Sequence, residues 1–122
     1  MIEGIECAIA HLIFLGDIVK ARERKLEADF QADLILDLKD LFPGSFIMKN
    51  DESLIQGIPD LTILYKNTWA VLEVKAYEGA AHQPNQDYYV DLFDGMSYAA
   101  FIFPENKEEV LDELQQTFGA KR

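Results

Sequence analysis

Asp60, Glu73 and Lys75 are the residues of this chain whose types and spacing point to chemistry. Asp60 opens the apolar run Asp60-Leu61-Thr62-Ile63-Leu64-Tyr65, and Glu73-Val74-Lys75 closes the next, which begins at Ala70. Both runs are short and rich in apolar and β-branched residues, so both read as β-strands. Lys66-Asn67-Thr68-Trp69 reads as the turn between them. Residues two apart on a strand share a face, which puts Glu73 and Lys75 side by side. A hairpin closed by a two-residue loop at Lys66-Asn67 sets Asp60 directly opposite Glu73. An odd loop length sends Asp60 to the other face unless a bulge corrects it. Two carboxylates meeting across neighbouring strands repel when water is removed, so a cation belongs between them. Ligands that are all oxygen favour hard ions such as Mg²⁺ or Mn²⁺. Lys75 beside them supplies positive charge to a phosphate or orients a water.

The elements that must position these groups follow from the pattern around them. Residues 20–42 read as a helix, with Phe30, Leu34, Leu38 and Leu41 at helical spacing and Pro43-Gly44 as the stop. Glu27 lies on the same face, about a turn before Phe30; it either meets solvent in the early turns or reaches the metal or its water shell. Ser45–Lys49 reads as a first strand, with Phe46 and Met48 on one side and Ile47 on the other. The polar loop Asn50–Ser53 follows, where Asp51 is either a solvated loop acid or an approach to the site. Pro59, lacking a donor, suits a strand start. Gln83–Gly95 reads as a helix with Pro84 in its first turn and Gln86, Tyr89, Val90 and Phe93 facing inward. The Gln86 amide faces the end of the Glu73 strand, where it holds a water or phosphate oxygen or is a satisfied core glutamine. His82 at the helix entrance either touches substrate or caps the loop. Tyr88 and Tyr89 either stack on bases or pack. Ser97–Phe103 is almost wholly apolar and reads as a strand buried on both faces. A last helix starts at Pro104, with Val110, Leu111, Leu114 and Phe118 inward, and ends at Gly119. Residues 2–19 fit a short helix, or a strand added to the sheet or to another subunit. The order helix, three strands, helix, strand, helix is that of an α/β domain with a mixed central sheet flanked by helices.

Pro59-Asp60 together with Glu73-Val74-Lys75 resembles the signature of the PD-(D/E)xK nuclease superfamily. The Gly57-Ile58-Pro59-Asp60-Leu61 opening and the later glutamine are most similar to the small virus-type replication and repair nucleases (VRR-NUC) and to the archaeal-type Holliday-junction resolvases. The resemblance covers roughly residues 20–104 and implies a restriction-endonuclease-like αβββαβ core. It implies Mg²⁺, replaceable by Mn²⁺, on Asp60, Glu73 and a neighbouring main-chain carbonyl such as that of Val74. Lys75 then assists the water that attacks the phosphodiester, Glu27 stands for the first-helix glutamate, and Gln86 for the glutamine after the Glu-x-Lys strand, with Gln83 its rival. The implied activity is a metal-dependent DNA endonuclease with branched DNA, a Holliday junction or a flap, among its substrates. A homodimer and a phage or mobile-element origin are also implied.

Composition sets bounds on these readings. At 122 residues the chain reads as one domain, 1–122, with residues 1–19 as an N-terminal extension suited to a dimer contact. Hydrophobic content of 49% beside 27% charged residues fits an ordinary soluble globular protein. One cysteine, Cys7, allows no internal disulfide, which fits a reducing cytoplasm; Cys7 itself reads as a small buried apolar residue. The apolar stretch from Cys7 to Leu15 is too short to span a bilayer, and the acids before it are wrong for a signal peptide. The net charge of -11 opposes nucleic-acid binding, which uses basic patches. The positive residues gather at Lys20, Arg22, Arg24 and Lys25, which with His82 and Gln83 form the candidate substrate-binding set. The acidic run from Glu105 to Glu113 fits a second reading, a non-catalytic acidic interaction module on a nuclease fold that binds a protein partner. A third is a purely structural domain of a larger assembly.

Overall fold

The computed structural model describes residues 2–119, with side chains from residue 4 onward. In chain order the elements are helix α1 (Ile2–Leu41), strands β1 (Phe46–Lys49), β2 (Leu61–Tyr65) and β3 (Thr68–Val74), helix α2 (Gln86–Met96), strand β4 (Tyr98–Ile102) and helix α3 (Lys107–Phe118). The strands form one sheet in the order β1-β2-β3-β4. The β1–β2 and β2–β3 pairs are antiparallel, and β3–β4 is parallel. A parallel pair needs a crossover, and α2 supplies it. The result is an α/β fold with a mixed four-stranded sheet and three helices.

The hairpin turn is tighter than the four-residue segment read from the sequence. Tyr65 pairs with Thr68, so only Lys66 and Asn67 turn the chain. Lys66 adopts φ 53, the left-handed backbone that two-residue hairpin loops demand. The Thr68 hydroxyl donates to the Tyr65 carbonyl at 2.7 Å and stitches the turn closed. Thr68 and Trp69 therefore belong to β3, as expected of β-branched and aromatic residues.

Alternation divides the sheet into two faces. Leu61, Ile63 and Tyr65 of β2 and Ala70, Leu72 and Val74 of β3 pack with Leu34, Leu38 and Phe42 and with Val110, Leu111, Leu114 and Phe118 of α3. Phe42 and Phe118 meet edge to face, ring centroids 5.0 Å apart. Each buried Leu, Ile, Val or Phe among them contributes roughly 1.5–3 kcal/mol by leaving water. On the opposite face a smaller cluster of Val71, Val90 and Ala99, flanked by Trp69, Phe93 and Phe101, holds α2 against β3 and β4. The α2 helix does not cover β1, and Phe46 stays 63% exposed.

Residues 2–19 are one continuous helix with the rest of α1, neither a short separate helix nor a strand. No proline interrupts the 40 residues. At roughly 1.5 Å of rise per residue the helix is about 60 Å long. Only its second half meets the sheet; Ile5, Ile9, Leu12, Ile13, Phe14 and Val19 are all more than half exposed. Cys7, read as buried, is exposed on this arm. Among the described residues, no helix is long and apolar enough to cross a membrane. Helix α2 starts later than its sequence suggests: Pro84 lies before the helix, and Asn85 stands at the N-cap position without a side-chain capping bond.

Candidate metal centre

The end of β1 fixes the start of β2. The Asn50 side-chain amide donates to the Pro59 carbonyl and to the Thr62 hydroxyl, both at 2.8 Å, while its backbone N–H donates to the Asp60 carbonyl at 2.8 Å. On the other side, Gly57 presses against the entrance of α2. A Cβ on Gly57 would lie 2.5 Å from the Asn85 Cβ, and its φ of 87 favours glycine as well. Pro59 is fully buried. Asp60 is thus held between a polar clamp and a close backbone contact.

The two-residue turn sets the parity. Leu61 pairs with Leu72, so the next pair outward is Asp60 and Glu73. One Asp60 oxygen, Oδ2, accepts the Val74 N–H at 2.9 Å. Val74 thus joins the site through its backbone, while its side chain belongs to the core. Lys75 continues the sheet by one residue, its N–H donating to the Ile102 carbonyl at 2.9 Å.

Gln86, at the start of α2, locks the other two groups. Its side-chain N–H donates to Glu73 Oε1 at 3.0 Å, and its Oε1 accepts from Lys75 Nζ at 2.6 Å and from the Gln83 N–H at 2.8 Å. Lys75 also donates to the Ala81 carbonyl at 3.1 Å, and its ammonium lies 4.0 Å from Glu73 Oε1. Glu73 and Lys75 are 2% and 6% exposed, and Gln86 5%. The second Glu73 oxygen, Oε2, is buried with no hydrogen-bond partner among the described residues. A buried, half-satisfied carboxylate is costly. Burial and then the Asp60 charge push the Glu73 carboxyl up to about 9. Burial likewise raises Asp60, against the Val74 N–H, which lowers it. Glu27 is raised by burial and then by Asp60.

These groups open into a cleft of about 620 Å³ at the end of the sheet. Asp60, Glu73, Lys75, Gln86 and Gln83 line it together with Lys20, Glu23, Arg24 and Glu27 of α1. Five residues assigned from sequence as catalytic, and Lys20, Arg24 and Gln83 from the substrate set, therefore share one space. Arg22 and Lys25 do not; they border a separate shallow surface with Leu26 and Asp29. His82 also lies outside the lining, stacked on Phe101 with centroids 4.1 Å apart and paired with Asp87 at 2.8 Å. Asp51 is a turn acid, accepting the Ser53 N–H at 2.9 Å. Its neighbour Glu52 is the acid that enters the cleft. Nothing in the alternation around Glu52 marks it, because loop residues have no strand parity to read.

The donor set fits a hard divalent ion. One carboxylate oxygen each from Glu52, Asp60 and Glu73 lie within 4.8 Å of one another. In an octahedral Mg²⁺ shell opposite oxygens lie about 4 Å apart and adjacent ones about 3 Å, so the three carboxylates would draw together around the ion. The orphaned Glu73 oxygen is the atom such an ion would satisfy. No family model, curated protein or solved structure matches this chain.

Proposed function

We propose that this chain is a metal-dependent DNA endonuclease of the PD-(D/E)xK kind on a restriction-endonuclease-like core. The observation that carries this reading is Glu73, buried and facing Asp60 with one oxygen unpartnered, beside an ammonium held by the same amide. The order α1-β1-β2-β3-α2-β4 supports the core assignment. Asp60, Glu73 and the Val74 carbonyl would hold Mg²⁺, with Mn²⁺ as a substitute. Bound there, the ion supplies Lewis acidity and makes hydroxide accessible at neutral pH. Lys75, fixed by Gln86 and the Ala81 carbonyl, offsets charge that builds on the phosphate in the transition state. Gln86 orients Lys75 and Glu73 together, and Glu27 lines the same cleft, able to hold a water. Lys20 and Arg24 meet the phosphate backbone at the rim.

The α1 arm supports a homodimer. It carries Glu6 near its tip and Arg22 near its base. An antiparallel second copy sets acid against base while Leu12 meets Leu12. A twofold pair presents two clefts, which suits paired cuts in branched DNA.

The test is cleavage of labelled duplex, flap and four-way-junction DNA at low salt, with Mg²⁺ or Mn²⁺ against EDTA, beside Lys75→Ala. Cutting that needs metal and disappears in the variant is expected. The net charge of -11 favours a second reading, an acidic module that binds a basic protein partner. Absence of cutting on every substrate by folded, metal-loaded protein moves the assignment there.

A further inference from the structure

We infer that Glu52 is a third carboxylate ligand of the cation site, and that the Asn50–Ser53 loop closes that site from the solvent side. The inference rests on the metal-dependent reading above and extends it to a residue outside the sequence signature.

Three observations converge. The Glu52 carboxylate lies within 4.8 Å of both the Asp60 and Glu73 carboxylates, although Glu52 is exposed and free to turn away into water. Its loop is also built. Asn50 ties the loop's first residue to Pro59, Asp60 and Thr62, and the Asp51 side chain caps the turn through the Ser53 N–H. The loop's anchor is therefore the backbone of the metal-binding aspartate itself, so Glu52 is set relative to Asp60. Lastly, the buried Glu73 Oε2 has no N–H or O–H of another residue to satisfy it, only the neighbouring Asp60 carboxyl, with which it shares a proton when no cation takes that place. Three carboxyl groups at one point ionise together only at high cost unless a cation compensates them. Two carboxylates neutralise a divalent ion; a third raises affinity, the way ligand charge tunes other hard-cation sites. Glu27, from α1, lines the same cleft outside this group of three and is left to hold water rather than metal.

The test is Mn²⁺ titration of the full chain by calorimetry and by electron paramagnetic resonance, without DNA. Glu52→Gln is expected to weaken Mn²⁺ binding about tenfold or more, and Glu52→Asp, one methylene short, by less. Glu105→Gln, at an exposed acid outside the cleft, is expected to match wild type within about twofold. Circular dichroism checks that each variant is folded. If Glu52→Gln binds Mn²⁺ as wild type does while Glu73→Gln loses it, Glu52 is not a ligand and the two-carboxylate site stands. If wild type binds no Mn²⁺ at all, the metal-dependent reading falls and this inference falls with it.

Discussion

Glu73 keeps its proton in the folded chain far above the pH at which an unfolded glutamate would lose it. The native state then binds more protons than the unfolded state between about pH 4.5 and about 9, so stability falls as pH rises across that window. In EDTA the melting temperature should be highest below this window and decline through it. Glu73→Gln should flatten that slope and leave the metal-free protein as stable or more so, and Mg²⁺ should restore wild-type stability at the alkaline end. Thermal melts from pH 5 to pH 9 decide it. Gln86→Ala is expected to cost about 1–3 kcal/mol, because it strands both Glu73 and Lys75 without their shared partner; denaturant unfolding measures this. Asp60, Glu73 and Lys75 were legible in the sequence because strand parity and a two-residue loop leave one arrangement. Glu52 was not, since its place depends on the Asn50 clamp, a contact between positions nine and twelve residues apart.

At the level of elements, the sheet and α3 follow from alternation and helical spacing, and their bounds match to within a few residues. The first half of α1 resisted reading because apolar residues surround it, leaving no single stripe to reveal the period. The sequence sets the α2 start too early, because Pro84 fits the first helical turn as well as the residue before the cap. The Gly57 contact yields a further prediction. Gly57→Ala forces a side chain into left-handed backbone and against Asn85. A loss of about 1–3 kcal/mol is expected, with weaker Mn²⁺ binding as the Pro59-Asp60 segment shifts. Paired denaturation and metal titration read both effects.

Considered whole, the molecule is a small α/β body with a long apolar arm. Replacing Ile9 and Leu12 by glutamate should yield a monomer by light scattering with an unchanged melting transition, since neither side chain packs on the body. Wild-type protein should run as a dimer under the same conditions. A wild-type monomer would remove the arm from the account. With only Lys20 and Arg24 of α1 at the rim to displace counterions, DNA binding should be weak and its salt slope shallow.

The antiparallel β1-β2-β3 meander precedes α2 and β4 in the chain, and its pairings are local. Local pairings form before distant ones, so the meander is expected to assemble first, including during synthesis. The two facing acids would then come together while still in contact with water, where their repulsion is small. Their desolvation would come only when Gln86 and β4 dock, as the last stage of folding. Pulsed hydrogen exchange should show the amides of 61–74 protected before those of 98–102. If so, divalent ions added during refolding should speed the docking step and leave the earlier one unchanged.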